Sequence, residues 1–281
     1  VKEVVSLGHQ VLCLRRISSK SMFDSVVESK IEWINIEDSK LKDKVSWFQP
    51  DVLFHAAWGG VRGNGREDGN VQNENLAMSR RMFELYPYKQ IIVIGSQAEY
   101  GFYYGPVDEN HALRPTMEYG RAKKQCCDDL KKYCESKDLE WQWIRIFTVF
   151  GEQQTGGLIK LAIDKCKEGD KKFDTTEGNQ RYSYLYAVDF AKALCQMLGA
   201  KGKSGIYNLS QPMEVHSNRY VLERIKEKMH SDIRFNFGAI PYVDDQIMLM
   251  DGTVDKFVRA FGAIPHTDFE LALNKTIESF K

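Results

Sequence analysis

The chain has no run of about 18 apolar residues, so a membrane-spanning helix is not expected. It has no excess of charge: Lys+Arg and Asp+Glu both number 39. That balance argues against a nucleic-acid or membrane-surface partner held by bulk charge. Its six cysteines, at 13, 126, 127, 134, 166 and 195, include no Cys-x-x-Cys pair and no regular framework. They read as reduced thiols of a cytosolic protein. Cys126 and Cys127 are adjacent, but neighbours on a helix point in different directions, so packing is their expected role. The six histidines show no ligand spacing, so no metal is expected. No secretory pattern opens the sequence, and no repeat or low-complexity tract interrupts it.

What is present is an alternation of strand and helix. Val1–Gly8 reads as the end of a helix with Gly8 closing it, and Gln10–Leu14 as a strand. Val45–Phe48 closes a short helix, and Pro50-Asp51 turns into the strand Val52–His55. A glycine-rich loop follows over residues 59–65; it lacks nucleotide-fingerprint spacing and is expected to be flexible and substrate-facing. Further helices are expected at 71–86, 117–137, 157–168, 189–199, 217–229 and 267–280. Strands are expected at 90–95, 141–146, 181–186 and 206–209. Such alternation implies a parallel, doubly wound α/β sheet. The expected division is a domain over 1–150 and a smaller, partly interleaved C-terminal lobe over 151–281. With 281 residues, about three quarters of the unfolded surface can be buried, so a full core is available.

Chemistry concentrates around Ser96, Tyr119 and Lys123. Tyr119 and Lys123 are four apart on a helix and share a face. An ammonium there favours the phenolate, and Tyr ordinarily titrates near 10, so it needs such help at neutral pH. Ser96 ends the apolar run Gln90–Ile94, a buried strand whose carboxyl end is where open α/β sheets bind ligands. A Ser donor, a Tyr acid/base and a tuning Lys suit proton movement on a carbinol or carbonyl oxygen, with hydride transfer as the partner step.

Five ordered blocks carry a family resemblance: Asp51–Ala57, Ser96 with Tyr100-Gly101, Tyr119-x-x-x-Lys123, Arg145–Gly151, and Arg181–Asp189. The chain resembles extended short-chain dehydrogenase/reductases of the nucleotide-sugar branch. The resemblance implies a Rossmann-like fold and a nicotinamide cofactor. It also implies a first strand and a Gly-x-x-Gly-x-x-Gly turn ahead of Val1. Arg15 and Arg16, followed by Ser18 and Ser19, stand where the family places an acid for NAD or a base for NADP, so NADP(H) is favoured and NAD(H) is the alternative. By resemblance, Asp38 contacts adenine, Ala56 and Ala57 let the backbone lie close to the cofactor, and Asn75 with Ser79 matches an element near the nicotinamide. Tyr119 and Lys123 touch the cofactor as well.

On the substrate side, Arg181 is the candidate for the sugar-nucleotide diphosphate, since a guanidinium grips phosphate oxygens in a fork. Thr148, Gly157, Leu158 and Lys160 occupy the stretch that lines the nucleotide in the family, and Gln97 lies beside Ser96. Gln97 and Ala98 replace the Asp-Glu pair of sugar 4,6-dehydratases, so dehydration is not expected. The Cys and His of the enzymes inverting carbons 3 and 5 are also replaced, by Ala98 and the Glu152–Gln154 run. A 4-keto-sugar reductase remains, with a 4-epimerase as alternative and a non-catalytic binding protein on the same fold as the rival of another class. A homodimer is expected through the helices at 71–86 and 117–137, whose apolar residues Leu76, Met78, Met82, Phe83, Leu85, Ala122, Cys126, Leu130 and Tyr133 could pair across a two-fold axis.

Overall fold

A computed structural model describes residues 1–17, 23–211 and 214–281. Ser18 and Ser19, expected beside the cofactor, lie outside the described residues. In chain order the elements are α1 (Lys2–Ser6), β1 (Val11–Arg15), α2 (Ser25–Glu28), β2 (Ile31–Asn35), α3 (Leu41–Phe48), β3 (Val52–His55), α4 (Gly69–Phe83), β4 (Gln90–Ser96), α5 (Glu118–Lys137) and β5 (Glu140–Ile146). They continue with β6 (Thr148–Phe150), α6 (Leu158–Glu168), β7 (Lys172–Asp174), β8 (Arg181–Tyr186), α7 (Ala187–Cys195), β9 (Gly205–Leu209), β10 (Val215–Ser217) and α8 (Asn218–Lys228). The last are β11 (Arg234–Asn236), β12 (Leu249–Met250), α9 (Asp255–Phe261) and α10 (Phe269–Glu278). Short 3-10 turns occupy Gly63–Arg66 and Gln97–Glu99.

The chain forms two compact units, neither a single run of sequence. The first comprises Val1–Glu99, Pro115–Ile144 and Leu194–Ile206; the second comprises Tyr100–Arg114, Arg145–Ala193 and Tyr207–Lys281.

In the first unit, β1 and β2 pair in parallel, as do β3 and β4, and the larger sheet runs in the order β3-β4-β5-β9. All of β4 is buried, which accounts for its unbroken apolar run. Its polar first residue, Gln90, is satisfied by hydrogen bonds: it donates to Gln142 Oε1 at 2.7 Å and to the Met197 carbonyl at 2.8 Å, and accepts from Gly199 N at 2.8 Å. Helix α4 starts at Asp68, whose carboxylate accepts from the amides of Asn70 and Val71 at 3.0 and 3.2 Å. It ends at Phe83, before Pro87. The core packs Leu76 and Phe83 of α4 and Ala122, Cys126 and Leu130 of α5 with Ile91, Val93 and Trp143. Met82 and Leu85 pack instead with Ile34, Leu41 and Val45. The apolar stripe expected to form a two-fold contact is thus largely used within one chain: Leu76, Met82, Phe83, Leu85, Ala122, Cys126 and Leu130 are buried without a partner subunit.

In the second unit, β8 is central, pairing in parallel with β6 and β12 and antiparallel with β10. Strands β7 and β11 form a parallel pair. Ile159, Ile163, Val221, Leu222, Ile225, Leu273 and Ile277 from α6, α8 and α10 build its core with Tyr184 and Tyr186.

Candidate active site

Strand β4 delivers Ser96 to its carboxyl end, where three neighbours fix it. Ser96 N donates to Glu99 Oε1 at 2.8 Å, and the same oxygen accepts from Trp143 Nε1 at 2.9 Å. Ala98 N donates to Ser96 Oγ at 3.1 Å. Glu99 is fully buried, and this pair of donors is what makes its burial tolerable. Gly95 is obligatory here: a Cβ would stand 2.1 Å from Trp143 Nε1 and 2.7 Å from Glu99 Oε1.

The first turn of α5 lies against the turn Gln97–Glu99. A Cβ on Gly120 would meet the Ala98 carbonyl oxygen at 2.4 Å, so only glycine permits this approach. The approach brings the buried Tyr119 phenol close enough to Ser96 for the serine to bear on its ionisation. Burial pushes the phenol above its ordinary value of 10.0; Ser96 and the Arg66 charge pull it down, and Glu99 pushes it further up. Lys123, one turn later, is buried; its Nζ donates to the Ile94 carbonyl at 2.6 Å and lies 3.8 Å from the Trp58 ring centroid. Desolvation brings its ammonium down to about 8. The Lys123 charge is turned to a carbonyl and an indole, and the cation facing the Tyr119 ring is Arg66, with its guanidinium carbon 5.1 Å from the ring centroid.

The loop bearing Arg66 is fastened rather than loose. Gln72 of α4 accepts from Trp58 Nε1 at 2.8 Å and donates to the Gly65 and Gly60 carbonyls at 2.7 and 3.3 Å. Asn75 closes both polar groups of Gly59, accepting from its amide at 2.8 Å and donating to its carbonyl at 2.9 Å. Gly60 has φ +62°, and a Cβ there would meet Gly65 O at 2.5 Å. Gly60 therefore serves a close turn that Gln72 and Asn75 hold by hydrogen bonds.

The cofactor-side residues are dispersed over the carboxyl ends of β1 and β3 and over α4. Arg15 ends β1 with its guanidinium 4.2 Å from the Trp33 ring centroid, and Arg16 is exposed. Asp38 pairs with Lys44 Nζ at 2.6 Å and accepts from Lys40 N at 2.8 Å, which together lower its carboxyl. Ala56 and Ala57 follow β3 directly, Ala56 exposed. Ser79 donates to the Asn75 carbonyl at 2.7 Å and meets His55 Nε2 at 2.8 Å. His55 is a buried structural base, held down to about 4 by desolvation and the Lys123 charge. These residues fit a dinucleotide: small side chains leave the backbone open after β3, cations end β1, and the Trp33 indole nitrogen is a buried donor with no hydrogen-bond partner among the described residues.

Of the substrate-side candidates, Gln97 sits half-buried in the turn after Ser96. The others belong to the second unit. Thr148 begins β6 and donates to Met250 Sδ at 3.4 Å; Gly157 caps α6 with φ +93°, followed by Leu158 and Lys160, whose ammonium pairs with Asp164. Arg181 begins β8 with an exposed side chain, its amide bonded to the Met248 carbonyl at 2.8 Å. Sequence reasoning missed Glu99, Trp58, Gln72 and Arg66; the run Gly59–Arg66 was the signal, since its glycines fold Arg66 back toward α5. No group of His, Cys, Asp and Glu among the described residues could hold a metal.

Comparison with known proteins places the chain in a family and a fold. A provisionally named UDP-glucose 4-epimerase of Methanocaldococcus jannaschii is 27% identical over 230 residues, covering 78% of this chain and 74% of the relative. CDP-abequose synthase of Salmonella muenchen is 24% identical over 254 residues, covering 87% and 81%. The crystal structure of UDP-glucose 4-epimerase from Thermotoga maritima superimposes with TM-score 0.86 at 16% identity, over 99% of this chain and 93% of that one, which establishes the Rossmann-like epimerase fold. With residues 1–210 matching the model of the NAD dependent epimerase/dehydratase family, the chain belongs to that family.

Proposed function

We propose that this enzyme reduces the 4-keto group of a nucleoside-diphosphate sugar. The observation that supports the reading is the placement of Ser96 at the carboxyl end of β4 against the first turn of α5, which carries Tyr119, with Lys123 buried one turn later. A bound nicotinamide dinucleotide supplies or accepts the hydride. The chain's own residues manage the oxygen: Ser96 donates a hydrogen bond to the reacting carbonyl, and Tyr119 gives it a proton as it becomes an alkoxide. Arg15, Arg16, Asp38, Ala56, Ala57 and Asn75 hold the cofactor, and Tyr119 and Lys123 touch it. NADP(H) is the favoured form, because two arginines and no acid end β1. Gln97, Thr148, Gly157, Leu158, Lys160 and Arg181 hold the nucleotide sugar, Arg181 as the diphosphate's cation. Gln97 and Ala98 offer no second acid or base after Ser96, which supports simple redox at one carbon over dehydration.

The second reading is a 4-epimerase, favoured by the names of the M. jannaschii and T. maritima relatives. One assay separates the two. The purified enzyme is given NADPH or NADH with a nucleotide-linked 4-keto-6-deoxyhexose, and separately with a nucleotide hexose. Stoichiometric cofactor oxidation on the keto sugar supports the reductase. Inversion at carbon 4 of the hexose without net cofactor consumption supports the epimerase. Neither reaction, with no nicotinamide bound in calorimetry, leaves the non-catalytic reading.

A further inference from the structure

We propose that Arg66, carried on the clamped glycine loop, is a positioning residue that holds the Tyr119 phenolate in place as the conjugate base of the acid/base pair. The proposal rests on the reading of Tyr119 as the proton donor. Four observations converge on it. First, the guanidinium carbon lies 5.1 Å from the Tyr119 ring centroid, within the range at which a cation is attracted to an aromatic face. Losing its proton turns that ring into an anion, so the attraction grows in the state the reaction creates. Second, Arg66 Nε is buried and has no hydrogen-bond partner among the described residues, so this guanidinium is not engaged by them at that atom. Third, the nearer candidate is engaged elsewhere: Lys123 Nζ donates to the Ile94 carbonyl at 2.6 Å and sits 3.8 Å over Trp58. Fourth, the loop is built to hold Arg66 still. Gln72 grips the carbonyls on both sides of the loop, Gly60 and Gly65, and the Gly60–Gly65 approach leaves no room for a side chain.

The groups around the phenol pull in opposite directions. From the loop comes Arg66; from the turn after β4 comes Glu99, whose negative charge opposes the phenolate. From α5 itself comes Lys123, turned to β4, and Ser96 adds a stabilising influence from the end of β4. Burial and Glu99 both work against ionisation, so the phenolate needs a cation beside it. Arg66 is the one whose charge bears on this ring from the loop.

The test places 3,5-difluorotyrosine at position 119 and follows its ¹⁹F resonance with pH, in the otherwise unaltered chain and in Arg66→Gln and Arg66→Lys. This readout needs no substrate. The phenol midpoint is expected to rise by about one pH unit or more in Arg66→Gln, the effect of losing an opposite charge at this range, and to be largely restored in Arg66→Lys. If Arg66→Gln does not fold, Arg66→Met keeps the apolar stem and is read in the same way. Gln72→Ala, which releases the loop, is expected to raise the midpoint too. An unchanged midpoint in Arg66→Gln, in a folded protein, overturns the proposal. Turnover by Tyr119→Phe is the separate control: if that variant stays active, the reading of Tyr119 fails, whatever Arg66 does to the phenol.

Discussion

At the scale of single residues, the site is assembled against the fold's own preferences. Tyr119→Phe removes the exchangeable proton and keeps the ring in its packing. We expect turnover to fall by about 10²–10⁴-fold, as for loss of a general acid, with the circular dichroism spectrum and melting midpoint little changed. Lys123 is the converse case. Its ammonium is brought down from 10.5 to about 8 by burial, so the folded state disfavours the charge it carries at pH 7. A depressed folded value means that Lys123 costs stability at neutral pH and that the cost fades as pH rises from about 8 toward 10.5. The cost is roughly 3 kcal/mol, against about 1 kcal/mol for the hydrogen bond to Ile94 that a substitution forfeits. Lys123→Met is therefore expected to raise the melting midpoint while abolishing activity; a lower midpoint would show that the Ile94 and Trp58 contacts outweigh desolvation. Gly95→Ala tests the packing beneath Ser96. Its Cβ would overlap Trp143 and Glu99, and we expect at least about 1–3 kcal/mol of destabilisation by denaturant titration.

At the scale of elements, what could be read in the sequence was what local pattern determines. Strand β4 declared itself because both of its faces are buried, so it is apolar nearly throughout. Helices α5, α6 and α8 fell within a residue or so of their expected ends, for α6 because a left-handed Gly169 closes it. Ser96, Tyr119 and Lys123 were legible because one strand end and one helix face carry them. Strand β2 was missed: Ile31 and Ile34 point into the core while Glu32 between them is exposed, an irregular signal over five residues. Strands β6, β10 and β12 are two or three residues long and exist because β8 supplies their hydrogen bonds, which no local propensity records. Arg66 was passed over for a related reason: the glycine run marks its loop, but its meaning lies in a tyrosine on another element. Helix α4 offers a measurable element-scale test. Asp68 satisfies two amides at its start, so Asp68→Ala is expected to cost about 1 kcal/mol in chemical denaturation and to loosen the Gly59–Arg66 loop that packs on the same turn.

At the scale of the whole molecule, the homodimer remains a proposal drawn from resemblance, since the stripe on α4 and α5 is largely taken up by the chain's own core. The outer residues of those helices include the Arg80–Asp129 pair at 2.6 Å, bonded across α4 and α5 within one chain. Light scattering at micromolar concentration decides between one chain and two. The response of stability to acid can be argued further. His55 is buried at the end of β3, with Ser79 at 2.8 Å and the Phe83 ring edge-on at 5.9 Å. Desolvation, aided by the Lys123 charge, lowers it from 6.5 to about 4. The folded state therefore binds the proton less readily than the unfolded state, so protonation favours unfolding. The contribution is fully present above pH 6.5 and is lost progressively as pH falls toward 4. Over that window the fall corresponds to roughly 3 kcal/mol. We expect urea midpoints to decline with this slope as the pH is lowered through that window, and His55→Gln, which keeps a polar partner for Ser79 but cannot take the proton, to flatten it. An equally steep decline in His55→Gln would assign the acid sensitivity to the carboxylates instead.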